Sequence, residues 1–343
     1  MAAVQQCIVE NPPENVLVEH LTTHVEGSVP RRVGIFLKAC GRFPAAVWRS
    51  DLVHLHMADR GSTFRKLALL SVARSLRRPV VVHSHGFRFS DFFEGLPCGL
   101  RTIIRRRLNK SACFVALSDR QAGMYRQTVG VADSILTVLP NPVKWPEEMP
   151  ARTQRDTVDF VFLGRIGERK GAFDLLEAFS QLPPSVLERS RLTLAGDGEV
   201  ALAQRRAAEL CVSERVEAPG WIDSEVRSRL LAEASVFVLA SHHEALPMAL
   251  LEAMSMGLPV ITTDVGGIPD LIQHEGNGLI VAPGDILGLR DQMERLALND
   301  ALRTKLGTAA WRRVESCSLP RFREALGRIY RSAVSEACEP SPE

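Results

Sequence analysis

Glu244 and Glu252 stand eight positions apart around the apolar run Ala-Leu-Pro-Met-Ala-Leu-Leu. On a helix of 3.6 residues per turn that spacing sets them about 80° apart. Pro247 fits a first helical turn, which places Glu244 in the loop before the helix and Glu252 two turns in. The run Val236–Ala240 reads as a strand feeding this loop, so Glu244 falls at a strand's carboxyl end. One carboxylate could meet a sugar while the other holds a ribose diol through paired hydrogen bonds. The plainer alternative is a charge on the helix dipole and a solvated face residue. The Leu-Leu before Glu252 and the Ala-Met after it argue against free solvation.

A second set, Gly164, Arg165, Lys170 and Gly171, lies between the strand-like run Val158–Leu163 and the helical stretch Ala172–Gln181. Glycines between a strand and a helix start can cradle phosphate. Arg165 and Lys170 would add positive charge where a diphosphate leaving group develops its negative charge. Arg169 competes for that role. The spacing is not that of a Walker loop, and an ordinary basic turn is the alternative. Gly266 and Gly267, followed by Asp270, come after the strand-like run Val260–Thr263; paired glycines there let backbone N–H groups approach phosphate or hydroxyls. Ala195–Glu199 and Pro219–Ile222 read as turns closing two further crossover units. His54, His56, His83 and His85 alternate on two successive strand ends, sharing a face in the way a metal site would need. No cysteine or carboxylate cluster accompanies them, so no metal is expected. His85 is read as pointing into a cleft, with the other three packed or hydrogen-bonded.

The elements that must hold these residues repeat as short apolar run, loop and helix. Strand-like runs are Val16–Leu21, Leu52–His56, Val80–His83, Cys113–Leu117 and Ile135–Leu139, then Val158–Leu163, Arg191–Ala195, Val236–Ala240, Val260–Thr263 and Gly278–Val281. Helical patterns lie at Phe64–Leu76, Ala172–Gln181, Leu202–Leu210 and Pro247–Met256. Such alternation means βαβ units and parallel sheets. Ten strands exceed one typical sheet, and Pro140–Pro150 with the polar residues 152–156 forms a natural linker. The expected fold is α/β, with two Rossmann-like domains across a cleft: residues 1–145, residues 146–315, and a closing helix and frayed tail over 316–343. The opening is unusual, because Ala2–Glu10 reads as the end of a helix and Val16–Leu21 is the first strand candidate.

The 343 residues are 45% hydrophobic and 24% charged, the make-up of a globular enzyme. No long uncharged apolar window or secretory leader is read. Seven scattered cysteines fit a reducing cytoplasm rather than zinc or disulfides. The charge is uneven: residues 1–150 carry 20 Lys or Arg against 12 Asp or Glu, a balance of +8, and the rest carry 22 against 28, a balance of −6. The basic half is expected to meet something anionic. Arg65, Lys66, Arg74, Arg77, Arg78 and Arg101–Arg107 supply charge for an anionic membrane face, with solvated helix faces as the alternative. Nucleic acid fares worst, since aromatics are 6% and no basic strand interleaves them.

Together, Gly164-Arg165, Lys170, Glu244 with Glu252, and Gly266–Asp270, in this order, resemble the retaining GT-B glycosyltransferases of family 4, over roughly residues 50–310. The run Asp51–Ser62 and the run Val80–Gly86 are similar to members that build polysaccharides or lipid-linked glycans. The resemblance implies a nucleotide-diphosphate sugar as donor, with UDP or GDP left open, and no cofactor or metal. It assigns the donor diphosphate to Arg165 and Lys170, the ribose to Glu252, the sugar hydroxyls to Glu244, and further donor contacts to Gly164, Leu246, Gly266 and Gly267. His85 would sit beside sugar and acceptor, with His56, Arg60 and Ser62 on the acceptor side. The expected chemistry is same-face displacement, the leaving phosphate helping to deprotonate a glycan or polyprenyl-linked acceptor. The expected place is cytoplasmic, peripheral on the inner membrane face. The family's front-domain glycine loop has no counterpart, as though its first strand and that loop, about thirty residues, were missing. A non-catalytic nucleotide- or glycan-binding subunit, or another two-Rossmann enzyme such as a nucleotide-sugar epimerase or a phosphorylase, are the competing readings.

Overall fold

The computed structural model describes residues 2–151 and 156–338; most of the polar linker run and the last five residues of the expected tail lie outside the described residues. The chain divides into two compact units, Met1–Pro142 with Pro320–Glu343, and Val143–Leu319.

The first unit holds β1 (Val53–Met57), β2 (Val80–Ser84), β3 (Cys113–Ala116) and β4 (Leu136–Val138), hydrogen-bonded in that order and all parallel. Strands covered on both faces read as continuous apolar runs, and every residue of β2 is buried. Phe89 and Phe114 lie 4.9 and 4.5 Å from the Tyr125 ring, and the Tyr125 hydroxyl bonds Ser84 Oγ at 2.5 Å. The helix Leu319–Cys338, nearly all of it counted with this unit, buries Phe322, Leu326, Tyr330 and Ala333, a stripe at helical spacing.

The opening of the chain differs from expectation. Ala2–Glu10 is a helix, but Val16–Leu21 joins no strand ladder, and Leu17 is fully exposed. Three of those six side chains are solvent-exposed, and Leu21 packs against the unit's core without the run pairing to any strand. The helix Val29–Arg49, unread in the sequence, follows it.

The second unit holds β5 (Val158–Leu163), β6 (Ser190–Ala195), β7 (Val216–Gly220), β8 (Val236–Leu239), β9 (Val260–Thr263) and β10 (Leu279–Val281), in the order β10-β9-β8-β5-β6-β7. All pairs are parallel. β7 escaped the sequence reading because Val-Glu-Ala-Pro-Gly has little apolar content; it is an edge strand, where Pro219 costs no ladder bond. Counted from β5, the order is 3-2-1-4-5-6, the doubly wound arrangement. Chain direction across the sheet reverses between β5 and β8. The carboxyl ends of those two strands are thus the switch point at which such sheets bind ligands.

Helix Asp300–Val314 crosses the chain at Gly257–Pro259 so closely that a Cβ on Gly307 would lie 2.2 Å from the Gly257 carbonyl oxygen. Gly→Ala inside a helix ordinarily stabilises by about 0.5–1 kcal/mol. Gly307→Ala is expected to do the opposite and cost about 1–3 kcal/mol through overpacking, read as a lower urea midpoint at unchanged m-value.

Candidate functional site

The candidate site is built from the loops that leave β5 and β8. The β5 loop carries Gly164, Arg165, Arg169, Lys170 and Gly171; the β8 loop runs from Ala240 to Pro247 and carries Glu244 and Leu246. Their backbones touch at Gly171, where a Cβ would stand 1.8 Å from the Ala240 carbonyl oxygen and φ is +66°. An L side chain is disfavoured there on both counts. His242 N–H donates to the Arg169 carbonyl at 2.9 Å, and Arg169 Nη1 donates to the His243 carbonyl at 3.1 Å.

Across this seam Lys170 Nζ donates to Glu244 Oε1. Ser241 Oγ donates to the same oxygen at 2.9 Å, and Arg169 Nη1 stands 3.8 Å from it. The Glu244 side chain is 7% exposed and that of Lys170 is 15% exposed. A buried ion pair is costly to break by removing one partner, about 3–5 kcal/mol, because the other charge is left unpaired. Glu244 thus fixes the ammonium as much as it offers an oxygen of its own. Arg165 differs: its side chain is 64% exposed, 3.9 Å from Asp197 in the loop after β6. The structure makes Lys170 the held cation and Arg165 the open one.

The loop after β9 closes the arrangement. Gly267 N–H donates to the Ala245 carbonyl at 2.7 Å, and a Cβ on Gly266, at φ +56°, would meet the Glu244 carbonyl oxygen at 1.9 Å. On the other flank, a Cβ on Gly196 would lie 1.9 Å from the Gly164 carbonyl oxygen.

Glu252 lies on the helix Met248–Ser255, with Pro247 as the residue before its first turn. The helix is shorter than expected, so Glu252 stands just over one turn in, and Glu244 lies off the helix, where an angle round its axis does not apply. Its carboxylate is 23% exposed and 3.5 Å from Arg227 Nη1. Burial raises its pKa above the ordinary value, with Arg227 opposing. Ser241 and Arg227 were not found in the sequence. Ser241 sits three residues before Glu244, a spacing with no motif, and Arg227 comes from the separate helix Ser224–Glu233.

In the first unit, β1 and β2 pair with His56 opposite His83, which stacks His54, His56, His83 and His85 on one face of the sheet. Ring centroids are 4.3 Å apart for His54 and His56, and 4.4 Å for His83 and His85. His56 Nδ1 bonds His85 Nε2 at 2.9 Å, and His54 Nδ1 bonds the Tyr330 hydroxyl at 2.7 Å. Burial pushes His54 down to about 3 and the other three well below the ordinary histidine value, so all four rings are neutral. His85 is partly exposed. Ser62 is buried and its Oγ accepts the Ala58 N–H at 3.1 Å, whereas Arg60 is exposed before the helix Gly61–Ser75. One expected charge is corrected. Lys66 is buried, donates to Thr23 Oγ1 at 2.7 Å, and is lowered by burial to about 8, so its ammonium is not presented at the surface.

The family model "Glycosyl transferases group 1" matches residues 146–313, and "Glycosyltransferase Family 4" matches residues 9–144. A lipopolysaccharide 1,6-galactosyltransferase of Escherichia coli (strain K12) is 34% identical over 192 residues, a match covering 52% of this chain and 52% of that protein, about half of each. A GDP-mannose:cellobiosyl-diphosphopolyprenol alpha-mannosyltransferase of Xanthomonas oryzae is 27% identical over 328 residues, covering 89% and 83%. Among solved structures, Anabaena HepE in complex with UDP-glucose superposes with a TM-score of 0.74 at 17% identity, over 96% of this chain and 89% of that one. That likeness is one of fold.

Burial disfavours the charged form of Glu252, so its carboxylate opposes folding once the pH exceeds its raised native value. Glu252→Gln is therefore expected to raise Tm at pH 7 by about 2–4 °C, the change that about 1 kcal/mol makes in a domain of this size. The native pKa lies above the unfolded one. The gain should shrink as pH falls through the native value and vanish below the ordinary 4.5. Thermal scans of both proteins from pH 7 to pH 4 check the sign and the window.

Proposed function

The chain belongs to glycosyltransferase family 4, and from that premise we propose that it moves a sugar from a nucleoside-diphosphate donor onto a glycan or lipid-linked acceptor in polysaccharide or lipopolysaccharide assembly. The transfer retains the anomeric configuration and uses no metal at the donor. The observation that carries this reading is the Lys170–Glu244 pair at the point where the second sheet reverses its strand order, with Arg165 open beside it. Lys170, held by Glu244, and the open Arg165 stabilise the diphosphate as it leaves, and the preorganised charge of Lys170 does so without reorganising at the moment of reaction. Glu252 takes the ribose diol, its ionised form favoured by Arg227. Glu244 holds Lys170 through Oε1 and presents Oε2 to a sugar hydroxyl, with Leu246 and the Gly164, Gly266 and Gly267 backbone completing the donor contacts. His85, His56, Arg60 and Ser62 serve the acceptor side. The leaving phosphate takes the acceptor's proton, so no side-chain nucleophile is required.

The first unit's surface supports contact with an anionic membrane. On the helix Val29–Arg49, exposed Val33, Leu37 and Trp48 share one stripe, and Arg31, Lys38, Arg42 and Arg49 share another. Among the described residues no helix is long and apolar enough to cross a membrane, so the contact is interfacial.

Calorimetry with UDP and GDP tests the donor site. Saturable binding of one nucleotide is expected, weakened at least about tenfold, roughly 1.4 kcal/mol, in Glu252→Ala and in Arg165→Ala. Binding of neither nucleotide overturns the reading. Incubation with the matching nucleotide sugars and glycan acceptors, followed by NMR of the new linkage, should show the donor's anomeric configuration retained and a rate that does not rise when magnesium or manganese is added. Nucleotide binding without transfer would favour the non-catalytic subunit. For the membrane contact, the protein should sediment with vesicles containing anionic lipid and come off in high salt. Equal recovery on purely zwitterionic vesicles would exclude it.

A further inference from the structure

The histidine stack of the first unit carries more than packing explains. Among the described residues, His54 Nε2 and both ring nitrogens of His83 are buried without a hydrogen-bond partner. Buried polar atoms are nearly always satisfied, and each exception calls for a cause such as an ion. His54 and His83 stand beside His56: one ring nitrogen from each of the three lies within 4.8 Å of the others.

We propose that His54, His56 and His83 bind a divalent ion of the zinc class, with solvent at the fourth position. Tetrahedral zinc, with Zn–N bonds of about 2.0–2.1 Å, needs nitrogens about 3.4 Å apart, so ring swings on the order of 1 Å close the site. The second layer suits two of the three rings, His54 and His56. Metal-bound histidines donate their other ring N–H to an acceptor, which fixes the tautomer. His54 Nδ1 has the Tyr330 oxygen at 2.7 Å and His56 Nδ1 has His85 Nε2 at 2.9 Å. Donation to these partners frees Nε2 of each ring for the metal. The ion would clamp β1 to β2 and, through Tyr330, to the helix Leu319–Cys338. None of this rests on the proposed transfer.

The test uses the full chain after treatment with a chelator. Zinc calorimetry should give one equivalent per chain, and cobalt should give the visible d–d absorption of a tetrahedral nitrogen site, lost when zinc is added. His54→Gln and His83→Leu should each weaken binding at least about tenfold, and Tyr330→Phe by about tenfold, while His20→Gln on the exposed surface should bind as the unaltered chain does. A folded chain that takes up no equivalent of either ion overturns the proposal. So does affinity unchanged in His54→Gln. If His83→Leu fails to fold, Tyr330→Phe decides in its place, since it keeps the ring and removes only the oxygen, and unchanged affinity there would count against the site.

Discussion

A carboxylate removed from water must be met by a cation, and Glu244 is met by one whose backbone belongs to a different loop. Neither Lys170 nor Glu244 is in place until β5 and β8 are side by side, because each hangs from the loop that leaves one of those strands. The pair therefore reports correct assembly of the sheet's centre. Around it, the Gly171–Ala240 approach and the Arg169–His242 and Arg169–His243 hydrogen bonds leave the lysine little freedom. A cation so restrained has little entropy left to lose when an anion arrives.

Much of this was legible before any coordinates. β-branched runs bounded by glycine and proline gave nine of the ten strands, because fully buried parallel strands leave a strong compositional trace. The Gly164–Lys170 and Glu244–Glu252 segments stood out because residue types and spacing both lie close together in the chain. What escaped depends on long-range pairing. The Lys170–Glu244 contact spans 74 residues and the Glu252–Arg227 contact joins two helices; neither leaves a local periodicity. β7 was hidden because an edge strand tolerates polar residues and proline. Val16–Leu21 misled in the other direction: its composition suits a strand, but strand propensity means little without a strand to pair with.

Charge followed the same division. The sum over the first 150 residues was readable, but the share reaching solvent was not. Lys66 counts toward the total yet faces the interior, bonded to Thr23, while the stripe of Arg31, Lys38, Arg42 and Arg49 emerges only once the helix Val29–Arg49 is known. The histidines show it most plainly. Their alternation was visible in the chain, but that two alternating pairs from β1 and β2 fall on one face in register is a property of strand pairing.

The glycine contacts at the carboxyl end of the second sheet bear on how such an enzyme can diversify. Gly171 against Ala240, Gly266 against Glu244 and Gly196 against Gly164 interlock four loops by backbone alone, with no room for even a methyl group. Lengthening or reseating one loop would dislodge the next, so these loops are a poor place for insertions, in contrast with most surface loops. Change in sugar choice on this frame has to come through side chains borne by an unaltered backbone. A lineage could then change its specificity by a few point substitutions, while the interlocked backbone stays the same from member to member.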